Sequence, residues 1–260
     1  MKLMSLGAAL IIAAVALNAP QTATTRLTPK PTVVPVIAIP PFRGAVLIDV
    51  SGSREDARIA ASLDDFAPIF DRLRMSGGEM GFGLIREDSD HPLIRCYIPP
   101  PPEAPTPAPP PANGGNLFVN ANNRKREDAE RKKYEAKRRA WEADASARIN
   151  TFIVAITPLV EAPADAPATD LTSAVERGDL MLAEPSEFTN ATTAIILITD
   201  GLHNATAKMT PTMRSNARVA IVNGVGLLGA LAKLTPTPLR FESTAAAVRY
   251  FAEDGGARAR

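Results

Sequence analysis

The chain has 260 residues, 45% of them hydrophobic, enough to bury one sizeable core with extra segments attached. Its formal net charge of +1 makes no global case for a nucleic-acid or strongly acidic partner, so any such case must be local. A single cysteine, Cys96, excludes an intramolecular disulfide framework and a cysteine-based zinc site, and its place at the end of an apolar run reads as core.

Residues 1–23 read as a signal peptide or an N-terminal anchor. The apolar run from Leu3 to Leu17 is short for a membrane span and suits the central segment of a secretory signal. Cleavage signals around Ala19 are poor, which leaves an uncleaved anchor open. Either way the expectation is export, to a periplasmic or secreted location or to the membrane surface. Residues 24–43 form a proline-rich, extended linker.

From Gly44 the pattern becomes alternating strands and helices. The run "AVLIDV" suits a strand buried on both faces, and Ile59, Leu63, Phe66, Phe70 and Leu73 then keep helical spacing, with Pro68 expected to bend or restart that helix. "GGEMGFGLI" and "HPLIRCYI" flank the polar "REDSD" as a hairpin. A proline-rich stretch after Ile98 stays out of the core, and one long helix follows, keeping Tyr134, Trp141, Ala145, Ile149, Phe152, Ile153, Ile156 and Val160 at helical spacing. Its first part is charged on every side. Lys and Arg from Arg124 to Arg139 suggest a binding arm, but interleaved Glu127, Asp128, Glu130, Glu135 and Glu142 favour self-paired, solvated charges, and no nucleic acid is expected. Later runs, "TDLTSAVERGDLML", "TTAIILITDG", "ARVAIVNGVG" and "STAAAVRYFAED", continue the alternation. The fold expected is α/β: a Rossmann-like, open, mostly parallel sheet with helices on both faces, spanning 44–254 with an insertion at about 99–140 and a tail at 255–260.

In such a sheet, groups at the carboxyl ends of neighbouring strands converge on one crevice. The apolar run of "AVLIDV" leads into Asp49, with Ser51 and Ser53 after it, and that of "AIILITDG" leads to Asp200. Between them "APATDLTSAV" sets Thr169 and Asp170 on a loop leading into a helix whose first turn holds Thr172 and Ser173. Carboxylates and hydroxyls without histidine or thiol are hard ligands, which suit magnesium, manganese or calcium rather than zinc or copper. Ser53 could instead only cap a helix beginning near Glu55. His203, Glu242 and Asp254 read as loop or surface residues. A serine hydrolase lacks a Gly-x-Ser-x-Gly elbow and has only His91 and His203 as bases; an aspartate phosphotransferase using Asp49 would lack a second acid, since Ser51 stands two residues on. No enzyme is expected.

The Asp-x-Ser-x-Ser pattern "DVSGS", then Thr169 five residues before Ala174, then Asp200 in "ITDG", resembles von Willebrand factor type A domains over roughly Gly44 to Asp254. The resemblance implies a metal-ion-dependent adhesion site, in which Ser51, Ser53 and Thr169 ligate the ion directly or through water and Asp49 and Asp200 support it. The ion implied is magnesium, with manganese or calcium as alternatives, and a protein partner completes its coordination with an Asp or Glu. The sequence departs from the family in its long insertion and in lacking paired glycines before Thr169, with Thr172 a nearby competitor. The alternative function is a structural interaction module that makes contact through the charged helix and proline-rich insertion without metal.

Overall fold

The apolar run that opens the domain folds as the central strand β1, Phe42–Asp49, buried along its whole length. The structure, a computed structural model, describes residues 39–52, 60–106, 117–204, 210–222 and 231–253, all within one unit spanning Ala38–Arg260. The expected export segment, the linker up to residue 38, Ser53, Ile59 and Asp254 lie outside the described residues. Phe42 and Arg43, read as linker from composition, belong to the sheet and are buried.

Strand β1 pairs in parallel with β2 (Gly78–Ile85) and β4 (Thr192–Ile198); β4 continues to β5 (Arg218–Val222) and β5 to β6 (Leu239–Phe241), also in parallel. The expected hairpin partner, β3 (Ile94–Ile98), closes the other edge antiparallel to β2. The order β3-β2-β1-β4-β5-β6 makes an open, mostly parallel, Rossmann-like sheet in which β1 and β4 flank the point where strand order reverses.

Alternation along each strand sends side chains to two separate cores. Val46, Ile48, Phe82, Ile196 and Ile198 pack under three helices: α1 (Ala67–Ser76), α2 (Leu117–Val160) and α4 (Thr244–Ala252). Ala45, Leu47, Ile195, Leu197 and Ile221 pack under α3 (Leu171–Ala183). A strand covered on both faces favours apolar side chains, which is why β1 carries no polar side chain between Gly44 and Ile48. Helix α3 lies close on β1: a Cβ on Gly178 would sit 3.1 Å from the Ala45 Cβ. That close packing fixes the height of the α3 N-terminus over the sheet end.

Pro68 restarts rather than bends the helix that carries it. A single 3-10 turn, Leu63–Phe66, precedes α1, and Pro68 occupies the first turn of α1, where the missing N–H has no intrahelical partner to lose. The long helix α2 begins at Leu117, ahead of the charged run. Trp141, Ala145, Ile149, Phe152, Ile156 and Val160 are buried on one stripe, and Phe70 meets Phe152 edge-on. From Asn122 to Lys133 every side chain is exposed. Its charges pair along the helix, Arg131 with Asp128 at 3.1 Å and Arg138 with Glu142 at 2.8 Å among them, as the interleaving implies. No helix among the described residues is long and apolar enough to cross a membrane.

Candidate functional site

Asp49 and Asp200 end adjacent parallel strands. The last paired residues, Ile48 and Ile198, stand opposite each other, so Asp49 and Thr199 leave the sheet side by side with Asp200 one residue on. Both acids are buried, Asp49 at 0% and Asp200 at 5% exposure, and their charges act on each other. The loop 161–170 brings the third contribution to the same end: Ala166 forms a parallel bridge with Ser51, its N donates to Val50 O at 2.9 Å, and Gly52 N donates to Ala166 O. Four of the five residues singled out in the sequence thus sit at the strand-order reversal, Asp49 as the last residue of β1 and Ser51, Thr169 and Asp200 on the loops joined there. The fifth, Ser53, lies outside the described residues.

Each acid is held by its own turn. Asp49 Oδ1 accepts from Ser51 N at 2.9 Å, and Oδ2 accepts from the Thr199 hydroxyl at 2.7 Å. Asp200 Oδ1 accepts from Leu202 N at 2.9 Å. Between them Thr199 Oγ1 also accepts from Gly201 N at 3.1 Å, a turn that Gly201 permits with φ of +83°. With both oxygens already accepting, Asp49 is suited to orienting hydroxyls around a bound group more than to ligating one itself. Burial raises the Asp49 pKa; the bonds from Thr199 and Ser51 oppose the rise, and the Asp200 charge adds to it.

The α3 start supplies hydroxyls. Asp170 is the N-cap, accepting from Ser173 N at 3.1 Å and from Ser173 Oγ at 2.6 Å, so its carboxylate is spent on the helix. Thr169 and Thr172 are buried at 0% and 1% exposure, and neither Oγ1 has a hydrogen-bond partner among the described residues. A buried hydroxyl left unpaired costs about 1–3 kcal/mol, so a further partner for either would be stabilising. Two buried carboxylates and buried, unsatisfied hydroxyls are a fit for a small hard cation. The set is low in charge: among the described residues no three His, Cys, Asp or Glu side chains cluster as a metal site, so an ion here would depend on hydroxyl oxygens and on water or a partner's oxygen.

Sequence reasoning missed three contributors. Thr199 was passed over, although a hydroxyl next to a strand-end acid is a usable signal. His203, read as a plain loop residue, accepts from Leu171 N through Nδ1 at 3.2 Å, and Asn204 Oδ1 accepts from Thr169 N at 2.6 Å. Neither contact leaves a mark in the sequence, because the loops that meet are 35 residues apart. A cleft beside α3 is lined by Asp90, Glu176, Arg177, Asp179 and Arg214. Two of its acids anchor a loop: Glu176 accepts from Thr212 N at 2.7 Å, and Asp179 accepts from Arg214 N and Ser215 N. No family model, curated protein or solved structure matches the chain.

Proposed function

We propose that the sheet end at β1 and β4 binds a divalent cation, magnesium in the first place and manganese or calcium as substitutes, and that a protein partner completes the coordination with an Asp or Glu side chain. Ser51, Thr169 and Ser53 supply hydroxyl oxygens, and Asp49 and Asp200 supply the negative charge and orient them. The single observation that carries the reading is the buried Thr169 hydroxyl with no hydrogen-bond partner among the described residues, at the same sheet end as two buried carboxylates. A cation would satisfy the hydroxyl and offset the repulsion between the acids together, and its remaining charge would favour a carboxylate from outside. The activity is binding, not catalysis, and the N-terminal segment would deliver it outside the cytoplasm as an exported or membrane-tethered module.

Electron paramagnetic resonance of Mn2+ tests both halves. Wild type should bind the ion saturably and Asp200→Asn should not; in the loaded wild type, a peptide with one glutamate should change the spectrum where its glutamine twin does not. Equal binding by wild type and variant, or no binding at about 10 mM, would sink the cation half, given the weak affinities expected of a site with so few charged ligands. Identical spectra with the two peptides would sink the partner half.

A second reading, metal-free contact through the charged half of α2 and the proline-rich insertion, draws on the exposure of every side chain from Asn122 to Lys133. It separates from the first by chelation: a complex that survives EDTA and is lost on deleting residues 101–133 belongs to the insertion.

A further inference from the structure

We infer that Asn204 is a positioning residue for Thr169, so that the loop after β4 carries both a supporting acid of the site and the clamp that sets its threonine; this rests on the cation reading above. Asn204 is exposed, yet it makes two bonds to one fully buried residue. Thr169 N donates to Asn204 Oδ1 at 2.6 Å, and Asn204 N donates to Thr169 O at 3.3 Å. Bonds running in both directions fix the Thr169 backbone in the way a strand pair would. One further tie comes from the same loop, where His203 Nδ1 takes the Leu171 N–H.

These acceptors fall where the chain is short of them. The first N–H groups of a helix have no intrahelical partner, and the Asp170 cap takes only the one on Ser173. The loop after β4 takes those on Thr169, just ahead of the helix, and Leu171. Because Thr169 Oγ1 has no hydrogen bond of its own among the described residues, its placement depends on the backbone that Asn204 holds. Asp200 lies four residues before Asn204 on the same loop, so the acid and the hydroxyl are set by one piece of chain.

The test is Mn2+ affinity of the full chain, with thermal unfolding in EDTA as the control for folding. Asn204→Ala removes the acceptor from an exposed position and opens no core cavity. Its affinity should fall about 10- to 100-fold, the range seen when an outer partner of a metal ligand is lost. The chain should still unfold cooperatively, with a melting temperature lowered by several degrees for the acceptor that the buried Thr169 N–H loses. Asn204→Asp keeps the acceptor and should bind as wild type or tighter. An Asn204→Ala variant with wild-type affinity overturns the inference, as does equal weakening of both variants, and either result leaves the cation reading intact if Asp200→Asn still abolishes binding. No Mn2+ binding by wild type overturns both.

Discussion

Two clusters of buried polar groups sit at opposite ends of the same strands, and they are built differently. At the amino end, charge meets opposite charge. Arg43 on β1 reaches Glu79 on β2 at 3.1 Å and the Met181 and Leu182 carbonyls, and Arg95 bridges Glu79 to Glu184. Arg72 spends its donors on Pro40 O, Phe251 O and the Thr192 hydroxyl, and so binds the entering chain, α4 and β4 together. At the carboxyl end, two acids and a set of hydroxyls converge, and the charge of one acid acts on the other. Buried opposite charges that meet inside the protein hold a fold; like charges gathered at a sheet end are suited to receiving something from outside.

The largest effect should come from breaking the amino-end network. Glu79→Ala leaves Arg43 buried without its carboxylate and should cost about 3–5 kcal/mol in urea unfolding, with cation binding unaffected. Next, the carboxyl end should gain stability only from outside: at tenfold excess over its dissociation constant, Mg2+ should add about 1.4 kcal/mol to wild type and nothing to Asp200→Asn, read as a shift in melting temperature.

A third effect has a direction set by pH. Burial, with the charge of Asp200, raises the Asp49 pKa above its ordinary 3.8, so the folded chain holds that proton more tightly than the unfolded chain does. The stability linked to this proton is fully present below pH 3.8 and is lost as pH rises through the folded-state value. Asp49→Asn does not undergo that loss. In EDTA its melting temperature should rise relative to wild type as pH increases through this window, although the variant no longer supports the ion. The smallest effect belongs to the exposed half of α2, where Glu135→Gln removes two solvent-exposed pairs and should change stability by less than about 0.5 kcal/mol. A larger loss there would mean that the charged half packs against something.

The sheet could be read from the sequence because strands buried on both faces need apolar runs, and those of β1, β4 and β5 are nearly unbroken. Strand β6 escaped notice: Leu239–Phe241 is three residues long, preceded by Pro236 and Pro238, and only its pairing with β5 defines it. The start of β1 was read two residues late, since Arg43 looks like linker until Glu79 is placed beside it. For the candidate site, residue types at strand ends put forward Asp49, Ser51 and Asp200. Thr169 was put forward by its order along the chain. Its clamp was not, because Asn204 is an ordinary polar loop residue until folding brings two distant loops together. Asp170 carries the opposite lesson: a carboxylate in the right place can be wholly occupied as a helix cap.

The most direct measurement is calorimetric titration of Mg2+ into wild type and Asp49→Asn, both shown to be folded by circular dichroism. One saturable site in wild type, absent from the variant, is the expected result. Equal heats in the two proteins, or none in either at millimolar ion, would contradict a cation site at the carboxyl end of the sheet.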